Sequence, residues 1–289
     1  MYSNKYDAIV GQWTGKRYIL LKKLGTGGIG EIYLVQDAQG KVLALKLSTD
    51  IISITKEYNF LRRFQQKSFV PKVYDLDDYT RRDETYHFFT MEYIRGYNLK
   101  KAMMENTMDI KTKLNLMCII IHIIKQLNEE NYIYTDLKHE NIMVDGQNKQ
   151  IKLIDYGSLV QLGSTVKEFT PMYDRLCWGK GKRIADKNYQ IFAIGVLFIS
   201  LLLNRSLDPD KERLEFALGS LKKKKLPVSL FNTIARCLEG QIWDCDALYQ
   251  EVSCAREGYK SPDKLKAALN LLIAILVFLL TATIFAFVH

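Results

Sequence analysis

Two short segments in the middle of the chain, TDLKHEN at 135–141 and LIDYG at 153–157, constrain its fold more than any other feature. Asn141 follows Asp136 by five residues, and Asp155 follows Asn141 by fourteen, at the end of the strand-like run IKLID. A second short strand pattern, IMVD, lies between them. A carboxylate can accept a hydroxyl proton, a carboxamide and a second carboxylate can ligate a hard cation, and Lys138 can neutralise charge that builds on a transferred group. Each residue alone would be an ordinary loop side chain. Their joint order and spacing form the constellation that Mg-ATP chemistry needs, with Asp136 and Lys138 as catalytic candidates and Asn141 and Asp155 as Mg²⁺ ligands.

Upstream, LGTGGIGEIYLV sets Gly25, Gly27 and Gly30 in a GxGxxG spacing between two strand-like runs. A loop without Cβ atoms can lie flat over phosphates and offer them backbone N–H groups. Strand follows strand here rather than helix, which argues against a dinucleotide-type site and for a lid over a nucleotide. Sixteen residues after Gly30, the run LALK places Lys46 inside an apolar strand. An ammonium in that position must reach an anion or snorkel outward. Glu57, in the helical pattern ITKEYNFLRRF (54–64), is its expected partner, and such a pair can hold α- and β-phosphates during phosphoryl transfer.

Alternating or continuous apolar runs predict strands at 18–24, 31–35, 41–47, 70–76 and 86–94, interrupted by the helix at 54–64. After Gly96 the period lengthens to that of helices, expected at about 110–130, 188–203, 210–220, 228–238 and 245–255. The apolar run 191–203 is too short to span a bilayer and predicts a core helix. A long loop is expected from Tyr156 to about Lys187. The fold class is therefore α+β, with a small sheet carrying one helix ahead of a mainly helical body.

With GTGGIGEI, LALK, TDLKHEN, IDYG and FTPMY in this order, the sequence resembles the eukaryotic-like protein kinase superfamily over residues 15–258. The resemblance implies a bilobal kinase fold, with an N-lobe to about residue 94 and a C-lobe from about 95. It implies a Ser/Thr rather than a Tyr kinase, from Lys138 and from Thr170 in TPMY, with ATP and Mg²⁺ as the nucleotide and cofactor and with protein hydroxyls as acceptors. Carried over, Asp136 would be the catalytic base, Lys46 and Glu57 the ATP-orienting pair, Met91 the gatekeeper and Glu92 to Ile94 the hinge. Gly25, Gly27, Gly30, Ile32 and Ala44 would complete the ATP site. A C-terminal anchor with no extracellular domain further resembles the membrane-tethered kinases of spore-forming Gram-positive bacteria.

Four departures from the family pattern stand out. Tyr134 and Thr135 replace the usual His-Arg before the base, and loss of that Arg predicts a loop not switched by phosphorylation in the usual way. DYG replaces DFG, Arg175, Leu176 and Cys177 stand where APE is usual, and Gln190 stands where the long helix usually carries a bracing Asp. The main alternative is a pseudokinase scaffold; a small-molecule kinase is a third, disfavoured by Lys138 and TPMY. Ser158, Ser164 and Thr165 are candidate autophosphorylation sites.

The formal net charge is +9, concentrated in Lys222 to Lys225 and in Arg175, Lys180, Lys182, Arg183 and Lys187. These clusters are candidate surfaces for DNA or anionic lipid, or simply solvated faces, and self-association on a polyanion is a candidate form of control. No helix-turn-helix, zinc-finger or RNP pattern accompanies them. Five cysteines without CxxC spacing argue against a zinc site or a disulfide framework and fit a reducing compartment. Leu271 to Val288 contain no charge, and 267–288 would make a helix of roughly 33 Å, enough to span a bilayer core of about 30 Å. Lys260, Lys264 and Lys266 precede this span, which predicts a basic linker at 259–266, a single-pass anchor, and a catalytic body on the cytoplasmic face of the cell membrane.

Overall fold

The alternating N-terminal runs build an antiparallel sheet in the computed structural model, which describes residues 8–259 except 29, 107, 149 and 225. Among the described residues six strands form it: β1 (Ala8–Val10), β2 (Arg17–Gly27), β3 (Gly30–Gln36), β4 (Val42–Ser48), β5 (Val73–Arg81) and β6 (Glu84–Glu92), in the order β1-β2-β3-β4-β6-β5. The period of two sorts their side chains between faces. On one face Ile9, Tyr18, Val35, Leu43, Leu45, Leu47 and Phe88 close into a small apolar core. The register Ile32↔Lys46, Leu34↔Ala44 and Ala44↔Met91 sets Ile32, Ala44, Lys46 and Met91 together on the other.

The helix that interrupts the sheet, α1 (Ile51–Phe64), starts three residues earlier than its apolar period predicts. Asp50 is the reason, because its carboxylate accepts from the N–H groups of Ile52 and Ser53 at 3.0 and 3.2 Å and so satisfies the first turn. Ile54, Tyr58 and Leu61 are buried as expected, and Glu57 is buried with them. The strand expected at 70–76 is displaced to 73–81. Its polar half, DDYTR, reads as a loop in sequence, but it pairs with β6 up to Arg81↔Glu84 across a turn in which Arg82 and Asp83 both take positive φ. Asp77 in this strand is buried, and accepts from Trp13 N–H and Thr14 N–H, both at 2.9 Å, which ties the segment ahead of β2 to the sheet.

The helical body follows. It comprises α2 (Leu99–Met104), α3 (Ile110–Glu129), α4 (Lys187–Leu203), α5 (Leu214–Lys222), α6 (Val228–Leu238) and α7 (Cys245–Gly258). In α4 every residue from Tyr189 to Leu202 is buried, as its unbroken apolar run requires of a core helix. α5 begins four residues later than expected because Asp208 folds the chain into a turn, accepting from Asp210 N–H through its side chain and from Lys211 N–H through its carbonyl.

Short strands complete the body. β7 (Gly96–Asn98), β9 (Ile142–Asp145) and β10 (Gln150–Leu153) form one small sheet, and β8 (Tyr132–Tyr134) and β11 (Leu159–Gln161) form another. The two together fix the loop 135–141 and the residues after 153 beside each other, facing Lys46. No helix among the described residues is long and apolar enough to cross a membrane. The segment 267–288, the linker from residue 260 and Lys225 lie outside the described residues.

Candidate active site

Lys46 leaves β4 on the cleft side, where its Nζ meets Glu57 Oε2 at 2.6 Å and Asp155 Oδ1 at 3.0 Å. Burial alone would push the ammonium pKa down, but the two carboxylates overcome it and hold Lys46 above the ordinary lysine range, so it stays charged. Glu57 also accepts from Tyr156 N–H at 3.0 Å, which links α1 to the residue after Asp155. Asp155 sits in the left-handed region, φ 64°, a conformation that costs energy for a residue other than glycine and turns its side chain toward Lys46. Three groups far apart in sequence thus meet at one point, as their types predicted.

The loop from Tyr134 to Asn141 is fastened on several sides. Asp136 accepts from Thr170 Oγ1 at 2.6 Å and from the Lys138 ammonium. Asn141 Nδ2 donates to the Asp136 carbonyl at 3.0 Å, which fixes the carboxamide, and Ile154 N–H donates to the Asn141 carbonyl at 2.9 Å. Tyr134, in the place of the usual His, is buried against Tyr156, with its hydroxyl 2.5 Å from the Ile154 carbonyl and 3.1 Å from that of Asp155. Gln190 corrects an expectation: its Oε1 accepts from Tyr134 N–H at 2.9 Å, so the long helix braces the loop through a carboxamide and the support is not lost. Thr135, which replaces an expected Arg, lies with its hydroxyl 2.7 Å from the Ser158 carbonyl and 2.9 Å from that of Glu168.

The glycines divide into two kinds. A Cβ at Gly30 would come within 2.2 Å of the Leu47 carbonyl, so the sheet itself requires glycine there. A Cβ at Gly25 would meet nothing within 4 Å and one at Gly27 only the Gly30 carbonyl at 4.0 Å, so nothing among the described residues forbids a side chain at either. Their bareness leaves room beside the loop. Gly27→Ala is expected to leave the melting temperature within about 2 °C while raising the ATP KM about tenfold, whereas Gly30→Ala is expected to lower the melting temperature by several degrees. Calorimetry and ATP titration of the two variants check this contrast.

Met91 and Ala44 are paired across β6 and β4, and Ile94 is buried just beyond β6, so the expected adenine-facing residues lie along one edge of the cleft. Glu92 does more than lend its backbone. Its carboxylate accepts from Lys152 of β10 at 2.8 Å and from Lys72 N–H at 3.2 Å, which fastens the hinge to both lobes. Lys152 carried no sequence signal, since only the fold shows that a strand lysine there is buried.

Two expectations change in the segment from 156 to 187. Ser158 is buried in the folded chain, so it is not an accessible phosphate acceptor, whereas Thr165 is exposed. The cluster at 175–187 is also less free than its charge suggests. Arg175 makes a two-pronged pair with Asp186 at 2.9 and 2.6 Å, Arg183 Nε donates to Asp174 at 2.9 Å, and Lys180 pairs with Glu239 at 2.7 Å. Lys182 and Lys187 remain without an acidic partner among the described residues.

Among the described residues no group of three or more His, Cys, Asp or Glu side chains could hold a metal by itself. Asn141 and Asp155 supply two hard oxygen donors, which suits Mg²⁺, an ion that usually keeps waters and takes its remaining oxygens from substrate phosphates. The residues present fit that cation and the phosphates together.

Comparisons with known proteins agree with this geometry. A model of the protein kinase domain matches residues 18–234. The serine/threonine-protein kinase YabT of Bacillus subtilis is 36% identical over 197 residues, covering 66% of this chain and 57% of that protein. The serine/threonine-protein kinase PrkC of the same organism is 26% identical over 212 residues, covering 68% of this chain and 32% of that protein. The serine/threonine-protein kinase D of Synechocystis is 27% identical over 159 residues, covering 50% of this chain and 30% of that protein. The matched part thus spans between about a third and just over half of these relatives.

Proposed function

The chain belongs to the protein kinase family, and from that premise we propose that it is an active serine/threonine kinase that transfers the γ-phosphoryl group of Mg-ATP to protein hydroxyls. One observation carries the proposal: Lys46, Glu57 and Asp155 are already joined while Asp136 is held by Lys138 and Thr170. Both halves of the site are assembled together, which favours catalysis over a scaffold.

In this reading Asp136 accepts the proton of the acceptor hydroxyl, and Thr170 and Lys138 hold its carboxylate in position for that step. Lys46, kept charged by Glu57, orients the α- and β-phosphates, and the bare backbone of Gly25 and Gly27 lies over them. Asn141 and Asp155 would hold Mg²⁺, which supplies charge neutralisation on the phosphate oxygens when bound. The chain's own contribution is chiefly position and electrostatics, because groups already in place do not reorganise during transfer.

The segment 267–288 is proposed as a membrane anchor with the kinase body on its cytoplasmic side, supported by the absence of charge over 271–288 and by Lys260, Lys264 and Lys266 ahead of it. Capture of a polyanion at 175–187 has weaker support, since three of its five cations carry an acidic partner within the chain.

The test is incubation of the full chain with labelled ATP and a Ser/Thr acceptor, beside a form ending at residue 259 in a vesicle flotation assay. Label in the acceptor, and vesicle binding by the full chain alone, are the expected results. An absence of label under every condition would favour the scaffold reading, and flotation of the shortened form would remove the anchor.

A further inference from the structure

We propose that Arg175 and Arg183 are positioning residues that hold the stretch 170–173, which begins at the Thr170 contact with Asp136, against the base in the absence of any phosphate on the chain. The inference rests on the reading of Asp136 as that base.

Thr170 touches Asp136 directly, and beyond the single 3₁₀ turn Pro171–Tyr173 the next helix is α4, beginning at Lys187. The intervening residues need an anchor if the Thr170 contact is to persist. Asp174 provides one end of it. This carboxylate is fully buried and takes Arg183 Nε at 2.9 Å, Cys177 N–H at 3.1 Å and the Tyr189 hydroxyl of α4 at 3.1 Å. Without its cation it would be a buried, poorly compensated charge, so Arg183 is bound to it by more than surface attraction.

Arg175 provides the other end. Its fork spans both oxygens of Asp186, the residue that caps α4 by accepting from Tyr189 N–H at 2.7 Å, and its Nε donates to the Lys182 carbonyl at 2.6 Å. A planar guanidinium can make all these contacts at once, where an ammonium cannot. Arg183 also reaches the upstream limb. Its carbonyl accepts from Val166 N–H at 3.1 Å, its side chain lies 4.0 Å over the Phe169 ring, and Ala185 N–H donates to the Ser164 carbonyl at 2.8 Å. With the Thr135 hydroxyl beside the carbonyls of Ser158 and Glu168, the whole segment is held at both limbs and at its base by groups of the chain itself.

Two oddities of the sequence are thereby joined. Two of the five cations at 175–187, Arg175 and Arg183, and the N–H of Cys177 are parts of one internal staple. An added phosphate is not needed to gather these arginines, since Asp174 and Asp186 already occupy them.

The test uses the full chain in detergent, treated with phosphatase, as wild type, Arg183→Ala, Arg183→Lys, Arg175→Ala and Arg175→Lys. Two readouts are taken: steady-state kinetics with a Ser/Thr peptide and ATP, and amide exchange at Val166, Cys177 and Ala185. Wild type is expected to keep its rate after phosphatase and to protect these amides. Each Ala variant is expected to raise the peptide KM about tenfold or more, leave the ATP KM unchanged, and exchange these amides about tenfold faster. Arg183→Lys should recover part of the loss and Arg175→Lys almost none, because only Arg175 uses a two-pronged contact. Unprotected amides in phosphate-free wild type, or equal changes in both KM values, would overturn the proposal. Protected amides in a wild type that transfers no phosphate would leave the staple standing and remove the kinase reading instead.

Discussion

Asp136→Asn is expected to lower kcat by about 10²–10⁴-fold while ATP binding changes little, the range by which a positioned general base usually contributes. The substitution is nearly isosteric. A carboxamide oxygen can still accept from Thr170, so the loop keeps its shape, but it no longer takes the acceptor proton or attracts the Lys138 ammonium. Steady-state kinetics with ATP titration check the result. A variant with wild-type turnover would mean that the proton leaves by another route and that Asp136 has a structural part only.

Lys46→Ala is expected to act on stability and on activity together. It would leave Glu57, 3% exposed in the structure, as a buried carboxylate whose remaining contact is Tyr156 N–H. Breaking a buried pair in this way typically costs about 3–5 kcal/mol, or roughly 10 °C in melting temperature for a domain of this size. Loss of the phosphate-orienting cation should lower kcat/KM by roughly 10²–10³-fold. The double variant Lys46→Ala/Glu57→Gln separates the two effects. It removes the orphaned charge while keeping an acceptor for Tyr156, so most of the melting temperature should return and the activity should not. If the single variant melts like wild type, Glu57 does not depend on Lys46 for its compensation.

The triad and the catalytic loop could be read from the sequence because each member announces itself by type and spacing: an isolated Lys in an apolar strand, a Glu on the following helix, and carboxylates at fixed distances around short strand patterns. Gln190 and Thr135 were legible as departures, but not in their effect. Whether a carboxamide can replace a carboxylate as a brace depends on what faces it, and here that is one backbone N–H of Tyr134, for which a neutral oxygen suffices. The element boundaries moved for local reasons of the same kind. The side-chain cap at Asp50 decides where α1 begins and a turn at Asp208 takes up residues ahead of α5, and hydrophobic period carries no information about either.

Charge was the least readable property. Arg175, Lys180 and Arg183 resemble a basic surface in a composition count, yet each meets an acid that lies between 9 and 59 positions away along the chain. By itself the sequence determined the fold class and pointed to the residues proposed for the phosphate-handling site, because periodicity and side-chain chemistry are local. Only the tertiary structure decided which cations are spent on internal pairs, that Ser158 is out of reach, that Glu92 fastens the hinge to Lys152, and that Gly30 serves the sheet while Gly25 and Gly27 leave room. Those facts depend on distances between segments remote in sequence, and distance is what the folded chain adds.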